Sequence, residues 1–154
     1  MPEGIEPSFP VRIALIEDDS ILRAQLIDLL TESGRAVVVY EEPSEQRADA
    51  WLAGNADRWD LAIIDVFIAQ GNGLKLLGAH RLRLPHQRIA MLTGFATPQT
   101  RMACKQLGAD AVFDKLEEIN ALIAYCVQAQ VARSGSAVRL PRFPSLRDRQ
   151  AHSV

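Results

Sequence analysis

The sequence predicts an α/β protein, a (βα)5 fold in which five parallel strands form one doubly wound sheet with helices on both faces. Five short runs of β-branched and aliphatic residues recur along the chain, as is typical of parallel strands buried on both faces. A segment with helical spacing of apolar residues follows each run. Short connections and right-handed crossovers between such units produce a doubly wound sheet. The predicted strands cover residues 11–16, 36–40, 61–64, 88–92 and 111–113.

The predicted helices have recognisable start and stop signals. Gly34 stops the first helix, Pro43 precedes the second, and Pro85 ends the third. Pro98 occupies a tolerated first-turn position in the fourth helix, which Gly108 caps. The predicted helices cover about residues 20–33, 44–52, 74–83, 97–107 and 116–131. Helical spacing in the fifth helix joins Leu116, Ile119, Ile123, Cys126 and Val127.

Length and composition fit one soluble domain. A chain of 154 residues, 48% hydrophobic, is long enough to bury a core. The net charge of −2 provides no global attraction to nucleic acid or to an anionic membrane. No apolar stretch approaches the roughly 18–20 residues that span a bilayer. We therefore expect no direct nucleic-acid partner and no membrane association.

The ends of the chain differ from its middle. Residues 1–10 are proline-rich and lack a signal-peptide pattern, which predicts a flexible leader. Residues 11–132 form the predicted domain. Residues 133–154 are rich in Ser, Arg and Pro without periodicity, which predicts a disordered basic tail or a basic arm that contacts an acidic partner. Cys104 and Cys126 lie in helical patterns without metal-ligand spacing, which favours buried reduced thiols and a cytoplasmic location.

Charged or hydroxyl side chains follow four of the predicted strands directly. The carboxyl ends of parallel strands meet at one edge of a sheet, so these side chains are expected to lie together. An ionised aspartate among them can attack phosphorus and form an acyl phosphate. Two anions need a cation between them, and Mg²⁺ suits a few carboxylates with phosphoryl oxygens. The four places are Glu17-Asp18-Asp19, Asp65, Thr93 and Lys115.

Each side chain has a definite task in this chemistry. Asp65 is the expected nucleophile, and Glu17 and Asp18 supply the other carboxylates around the cation. Lys115 neutralises one phosphoryl oxygen and Thr93 hydrogen-bonds another. A main-chain carbonyl in the loop after Asp65 adds a further oxygen ligand.

The same residues also have purely structural interpretations. Asp19 fits a helix N-cap, Thr93 fits a turn, and Lys115 fits a solvated helix start. Asp65 ends an apolar strand, where a charge without a partner destabilises the fold. The occurrence of all four places after successive strands in one chain favours the functional interpretation.

At these residues the chain resembles the response-regulator receiver domains of two-component signalling, and the single-domain chemotaxis regulators in particular, over about residues 11–131. The resemblance implies a flavodoxin-like strand order 2-1-3-4-5. It implies that Asp65 is the phosphoacceptor, with Thr93 and Lys115 as the family's hydroxyl and lysine residues. The matching motifs are Leu15-Ile16-Glu17-Asp18-Asp19, Gly71-Asn72-Gly73, Gly108-Ala109-Asp110 and Phe113-Asp114-Lys115.

The resemblance also implies the set of metal ligands. Asp18 would bind Mg²⁺ directly and Glu17 would act through water, together with Asp65. The main-chain carbonyl of Phe67 would be the third metal contact.

Three positions depart from the family pattern. Ala69 stands where proline is usual, which leaves the loop after Asp65 less constrained. Val112 stands where the family often carries an aromatic switch residue, and the neighbouring Phe113 is expected on the other face of the sheet. Leu116 follows the lysine where proline is common. The route by which a signal leaves the site is therefore open.

The favoured hypothesis is a stand-alone receiver that takes a phosphoryl group from a sensor histidine kinase or a phosphotransfer protein. It would signal to a downstream protein, or through a homodimer, by a surface around the fourth helix, fifth strand and fifth helix. In this hypothesis the protein is not an enzyme beyond its own phosphorylation and dephosphorylation.

Two alternatives belong to other classes. One is a receiver-fold interaction module that acts without phosphorylation, as Ala69 and Val112 suggest. The other is a phosphatase with an aspartyl nucleophile. Such enzymes carry an Asp-x-Asp pair, and the sequence Asp65-Val66-Phe67 lacks the second acid.

Overall fold

The computed structural model describes residues 9–129, and their architecture is the predicted doubly wound α/β fold. The five strands are parallel and lie in the order β2-β1-β3-β4-β5, as the resemblance implied. Nearly all of the predicted leader and all of the predicted tail lie outside the described residues. The strands are β1 (Val11–Ile16), β2 (Ala36–Glu42), β3 (Leu61–Asp65), β4 (Arg88–Thr93) and β5 (Ala111–Asp114). The helices are α1 (Ser20–Glu32), α2 (Glu45–Gly54), α3 (Gly73–Ala79), α4 (Pro98–Gln106) and α5 (Ile119–Gln128).

Side chains that alternate along the strands divide the core into two layers. Leu15 and Ile63 point to the layer that packs against α1 and α5, and Ile16 and Ile64 point to the layer beneath α2, α3 and α4. All four are fully buried. Such strands are apolar on both faces, which explains the unbroken hydrophobic runs in the sequence.

The two cysteines belong to these two layers, one in each. Cys104 packs beneath α4 and Cys126 beneath α5, and both are free and buried as predicted. Burial raises the pKa of the Cys104 thiol to about 11 and that of Cys126 to about 12, so both stay protonated and unreactive at neutral pH.

The third helix is shorter than predicted, since α3 ends at Ala79 and not near residue 83. Pro85 is therefore not its stop signal. The guanidinium of Arg83 donates to the main-chain carbonyls of His80, Arg81 and Gly108 and pairs with Asp110 Oδ2 at 2.6 Å. These tertiary bonds hold the chain after α3 in a non-helical path.

The fifth helix begins later than predicted, at Ile119 and not at Leu116. Asp114 Oδ1 accepts hydrogen bonds from the main-chain N–H groups of Leu116 and Glu117 at 2.8 and 3.2 Å. This side-chain turn competes with the helix. Leu116 is 86% exposed as a result, so its predicted place on the apolar face of the helix is wrong.

Several strands extend beyond their predicted ends, and this extension matters for the site. Asp65 and Thr93 are the last residues of β3 and β4, so the sheet itself fixes their backbones. The second strand runs two residues further than expected, to Glu42, whose buried carboxylate accepts hydrogen bonds from Tyr40 Oη and from the N–H and hydroxyl groups of Ser44. Among the described residues, no helix is long and apolar enough to cross a membrane.

Candidate functional site

The carboxyl edge of the sheet brings together the residues singled out in the sequence. The ammonium group of Lys115 donates to Asp65 Oδ2 at 2.6 Å and lies 2.9 Å from Glu17 Oε1. The Glu17 and Asp65 side chains are 0% and 1% exposed, so this is a buried cluster and not a surface ion pair.

Strand register explains why these residues meet. Ile16 pairs with Ile64 on β3, Asp65 pairs with Leu92 on β4, and Thr93 pairs with Asp114 on β5. The residues that follow these pairs emerge at the same level of a parallel sheet.

Three carboxylates form the acidic part of the site. Glu17, Asp18 and Asp65 each place one carboxylate oxygen within 4.8 Å of the others. Glu17 Oε2 accepts from the N–H of Asp19 at 2.9 Å, and the buried Glu17 Oε1 lies 2.9 Å from the Lys115 ammonium. Three carboxylate oxygens this close together, two of them from buried residues, suit a cation or its bound water.

The electrostatics of the cluster also favour an added cation. Burial raises the pKa of Glu17 to about 7, aided by the charge of Asp65 and opposed by the Asp19 N–H and by Lys115. Burial likewise raises the pKa of Asp65, and Lys115 opposes that rise. Burial alone would lower the pKa of Lys115, but its contacts with Asp65 and Glu17 outweigh burial and raise it. One ammonium contacts two of the three clustered carboxylates, which leaves negative charge for a divalent ion.

Oxygen ligands of this kind fit Mg²⁺ rather than softer metals. Glu17, Asp18 and Asp65 are the described side chains that would hold it. The predicted contribution of the Phe67 carbonyl stays a prediction. The main-chain N–H of Phe67 does donate to Asp65 Oδ1 at 3.1 Å, which fixes the loop against the carboxylate.

The loop between β3 and α3 packs closely against the site. At Gly73 a Cβ atom would collide with the main-chain carbonyl of Asp65, so only glycine fits there. The N–H of Gly73 donates to the carbonyl of Val66 at 3.1 Å, and Asn72 caps α3 by accepting from two main-chain N–H groups. This close packing accounts for the glycine turn seen in the sequence.

Ala69 gives that loop an anchor that the usual proline lacks. Its main-chain N–H donates to Asp18 Oδ2 at 2.6 Å. Because proline has no N–H, this bond depends on the departure from the family pattern. The loop is thus held by hydrogen bonding, whereas the sequence alone suggested only a loss of constraint.

Thr93 is fully buried at the end of β4. Its hydroxyl oxygen accepts from the N–H of Phe95 at 3.1 Å, which leaves the hydroxyl hydrogen for another acceptor. The side chains of Phe67 and Phe95 are 63% and 72% exposed beside the site. Val112 and Phe113 belong to opposite layers of the core, as predicted, with Phe113 tilted against Tyr125 at 5.6 Å between ring centroids.

The neighbouring acid Asp19 is a helix cap. Asp19 Oδ1 accepts from the N–H groups of Ile21 and Leu22 at 2.9 and 3.1 Å, which confirms the structural interpretation of this residue.

Two groups near the site escaped sequence reasoning. One is the N–H of Ala69, and the other is the guanidinium of Arg23, which donates to the main-chain carbonyl of Glu17 at 2.6 Å and pairs with Glu41 at 3.1 Å. No sequence motif indicates either contact, since each involves a main-chain group of a kind that almost any residue can supply.

The chain belongs to the response regulator receiver domain family, whose model matches residues 13–126. Domains of this class are phosphoacceptor signalling modules of two-component systems and generally bind Mg²⁺ at an acidic pocket. The match covers the whole sheet except the first two residues of β1.

Curated relatives include longer regulators. The photosynthetic apparatus regulatory protein RegA of Rhodobacter capsulatus is 27% identical over 89% of this chain and 70% of its own length. The DNA-binding transcriptional activator DevR/DosR of Mycobacterium tuberculosis is 31% identical over 64% of this chain, but the alignment covers only 45% of the activator. The likeness is thus to part of each regulator.

Solved structures share the fold. The signal receiver domain of the response regulator NarL from Mycobacterium tuberculosis superposes with a TM-score of 0.67 at 22% identity, covering 78% of this chain and 98% of that one. A chain of the CheX-CheY-BeF3-Mg complex from Borrelia burgdorferi gives a TM-score of 0.70 at 14% identity, covering 80% of this chain and 92% of its own.

Removing the charge of Asp18 is expected to weaken Mg²⁺ binding strongly. Asp18→Asn keeps an oxygen that accepts from Ala69 but loses an anionic ligand, and we expect the affinity for Mg²⁺ to fall by roughly tenfold or more. Isothermal titration calorimetry measures it. Asp19→Asn is the matched control, because asparagine preserves the helix cap while removing an adjacent charge. Equal losses in the two variants would show that only general charge matters.

The raised pKa of Glu17 predicts the pH dependence of stability without metal. Its folded pKa, about 7, exceeds the value of about 4.3 expected for an exposed glutamate in the unfolded chain. The folded state binds more protons between these values, so the free energy of unfolding falls as pH rises through that window. Thermal unfolding with EDTA at several pH values checks this, with Glu17→Gln expected to flatten the dependence. A metal-free protein that gains stability across the window would contradict the prediction.

Proposed function

We propose that the protein accepts a phosphoryl group on Asp65 from the phosphohistidine of a sensor histidine kinase or phosphotransfer protein. The contact between Asp65 and Lys115, 2.6 Å long and buried among two further carboxylates, carries the proposal. An isolated buried carboxylate would destabilise the fold. A buried carboxylate beside a cation and a ligand set for Mg²⁺ is instead typical of a functional site.

In the proposed reaction, a carboxylate oxygen of Asp65 attacks the phosphorus atom of the donor. A P–O bond forms and the P–N bond to the donor imidazole breaks, with its electron pair passing to the imidazole nitrogen, which stays unprotonated or takes a proton from solvent. Lys115 moves from Asp65 to a phosphoryl oxygen, and the free hydroxyl hydrogen of Thr93 is donated to another. Asp18, Asp65 and the carbonyl of Phe67 would hold Mg²⁺, with Glu17 acting through water, and the ion would supply positive charge opposite the donor's phosphoryl group.

Hydrolysis of the acyl phosphate returns the domain to its starting state. Water attacks the phosphorus atom, the bond from phosphorus to the Asp65 oxygen breaks, and phosphate leaves. Both steps take place on the protein's own aspartate, so the proposed activity is confined to its own phosphorylation and dephosphorylation. No outside substrate is turned over.

The proposed output is a change in the surface formed by α4, β5 and α5. Movement of Thr93 toward a phosphoryl oxygen pulls the chain that follows β4, which leads directly into α4. A downstream protein or a second copy of the chain would respond to that surface. We propose a protein and not nucleic acid as the direct partner, since the whole chain has a net charge of −2.

A phosphorylation-independent interaction module is the second candidate. Position 112 carries valine, which is 8% exposed and packs beneath α4. The chain therefore has no aromatic side chain at this position that could move between an exposed and a buried state. Partner binding that is identical in wild type and Asp65→Asn would favour this module over the phosphorylated switch.

Acetyl phosphate with Mg²⁺ is expected to label the protein on Asp65. Intact mass and a phosphate-affinity gel should show one labelled species, absent without Mg²⁺ and in Asp65→Asn. Lys115→Met should label on the order of 10² more slowly, because charge on the transferring group loses its neutralising partner. Asp19→Asn, which alters a nearby acid outside the reaction, is the control and should label normally. Labelling that persists in Asp65→Asn would exclude Asp65 as the acceptor.

The labelled form is expected to be long-lived. Phe67 and Phe95 present large exposed apolar side chains beside the site, which hinders the approach of a hydrolytic water. Loss of phosphate after removal of acetyl phosphate should therefore be slow, and Phe95→Ala should accelerate it. Met102→Ala, at an exposed apolar residue on α4, is the control. A half-life of only seconds in the wild type would oppose this prediction.

A further inference from the structure

Arg101 joins three separate elements through one side chain. Arg101 lies on α4, and its Nε donates to the main-chain carbonyl of Ala96 at 3.2 Å. Its Nη1 donates to the carbonyl of Val112 at 3.0 Å, and its Nη2 pairs with Glu118 Oε1 at 2.5 Å. These contacts connect the β4–α4 loop, the edge strand β5 and the residue that precedes α5.

One side of this arrangement leads to Lys115. Glu118 Oε1 also accepts from the main-chain N–H of Asp114 at 3.0 Å, and Asp114 immediately precedes Lys115. The Arg101 hydrogen bond, followed by that from Asp114, lowers the pKa of Glu118, so its carboxylate is charged at neutral pH. The partner of Arg101 is thus fixed to the backbone beside the lysine that contacts Asp65.

The other side leads to Thr93. The N–H of Phe95 donates to the Thr93 hydroxyl at 3.1 Å, and the next residue, Ala96, offers its carbonyl to Arg101. The main-chain N–H of Lys115 donates to the carbonyl of Thr93 at 2.8 Å, so the two chain segments that Arg101 connects are also hydrogen-bonded to each other at the site. Both loops that Arg101 holds therefore begin at residues of the site.

We propose that Arg101 couples the phosphorylation site to the α4–α5 surface of this protein, in place of an aromatic residue at position 112. A Thr93 hydroxyl that moves toward a phosphoryl oxygen carries Phe95 and the Ala96 carbonyl with it. If Arg101 follows the Ala96 carbonyl, it either releases Val112 and Glu118 or keeps Glu118 and displaces it together with Asp114. Both the release and the displacement of Glu118 change the surface between α4 and α5.

The arrangement of partners distinguishes this role from that of an ordinary surface ion pair. The Arg101 and Glu118 side chains are 36% and 35% exposed, and a lone pair of that exposure contributes little. Here the same guanidinium also binds two main-chain carbonyls, and its planar fork fixes their relative positions. The proposal rests on the proposed function of Asp65, and its test separates the two.

The test follows main-chain amide signals by NMR while beryllofluoride and Mg²⁺, which mimic the phosphoryl group, are added. In the wild type, signals of Phe67 next to the site and of Asp114 and Glu118 next to Arg101 are expected to shift. In Arg101→Met the Phe67 shift should persist, while the shifts at Asp114 and Glu118 fall by roughly threefold or more.

Arg12→Met is the matched control. Arg12 binds Asp60 through Nε and Nη2 at 3.1 and 3.0 Å, at the amino ends of β1 and β3 and so at the far end of the strands from the site. Arg12→Met removes an Arg–Asp ion pair but none of the contacts among Arg101, Glu118, Asp114 and the site, so all beryllofluoride-induced shifts should remain. Thermal unfolding of both variants separates a loss of stability from a loss of coupling.

Conservative variants keep the proposal testable if Arg101→Met does not fold. Arg101→Lys retains the charge opposite Glu118 but cannot bind all three acceptors, so it should restore only part of the shifts. Glu118→Gln, alone and with Arg101→Lys, completes a double-mutant cycle in which the two losses should be non-additive.

The outcomes are distinct. Full shifts at Asp114 and Glu118 in Arg101→Met, or in Arg101→Lys if the first variant is unfolded, would overturn the coupling role while leaving phosphorylation of Asp65 intact. Absence of any beryllofluoride response at Phe67 in the wild type would overturn the proposed function itself.

Discussion

The ammonium group of Lys115, held between two buried carboxylates, is the constraint on which the rest of the site depends. Without it, Asp65 and Glu17 would be like charges in an apolar surrounding, where burial already raises the pKa of each. Its single positive charge makes the arrangement compatible with folding but does not neutralise three acids. The negative charge that remains is what a divalent cation would offset.

The sheet makes that cluster possible. Two apolar layers pack on its faces, and the register sets Asp65 beside Leu92, the residue before Thr93, and Thr93 beside Asp114. Opposite this edge, Arg83 pairs with Asp110 at 2.6 Å and holds the chain that enters β5. The apolar core thus positions the strands, and the residues at their carboxyl ends provide the charged groups of the site.

At two positions where the chain departs from the family pattern, main-chain groups make tertiary hydrogen bonds. Where the family usually carries proline, the N–H of Ala69 anchors the loop to Asp18. Where it often carries an aromatic residue, Val112 is buried, and its carbonyl binds Arg101. In both places a lost side-chain feature is accompanied by a hydrogen bond to the backbone, so the departures change how the loops are held without leaving them unsupported.

The sequence by itself determined the fold class, the five strands, and the residues at the strand ends, because hydrophobic runs and the charges that follow them are local and periodic. It also identified Asp19 as a cap and the cysteines as buried thiols, which depend on immediate neighbours. Only the tertiary structure decided where α3 ends and where α5 begins, since Arg83 and Asp114 override helical spacing through hydrogen bonds. It alone revealed the bonds of Ala69 and Arg101, because their partners are distant in sequence or are backbone atoms that no residue pattern encodes.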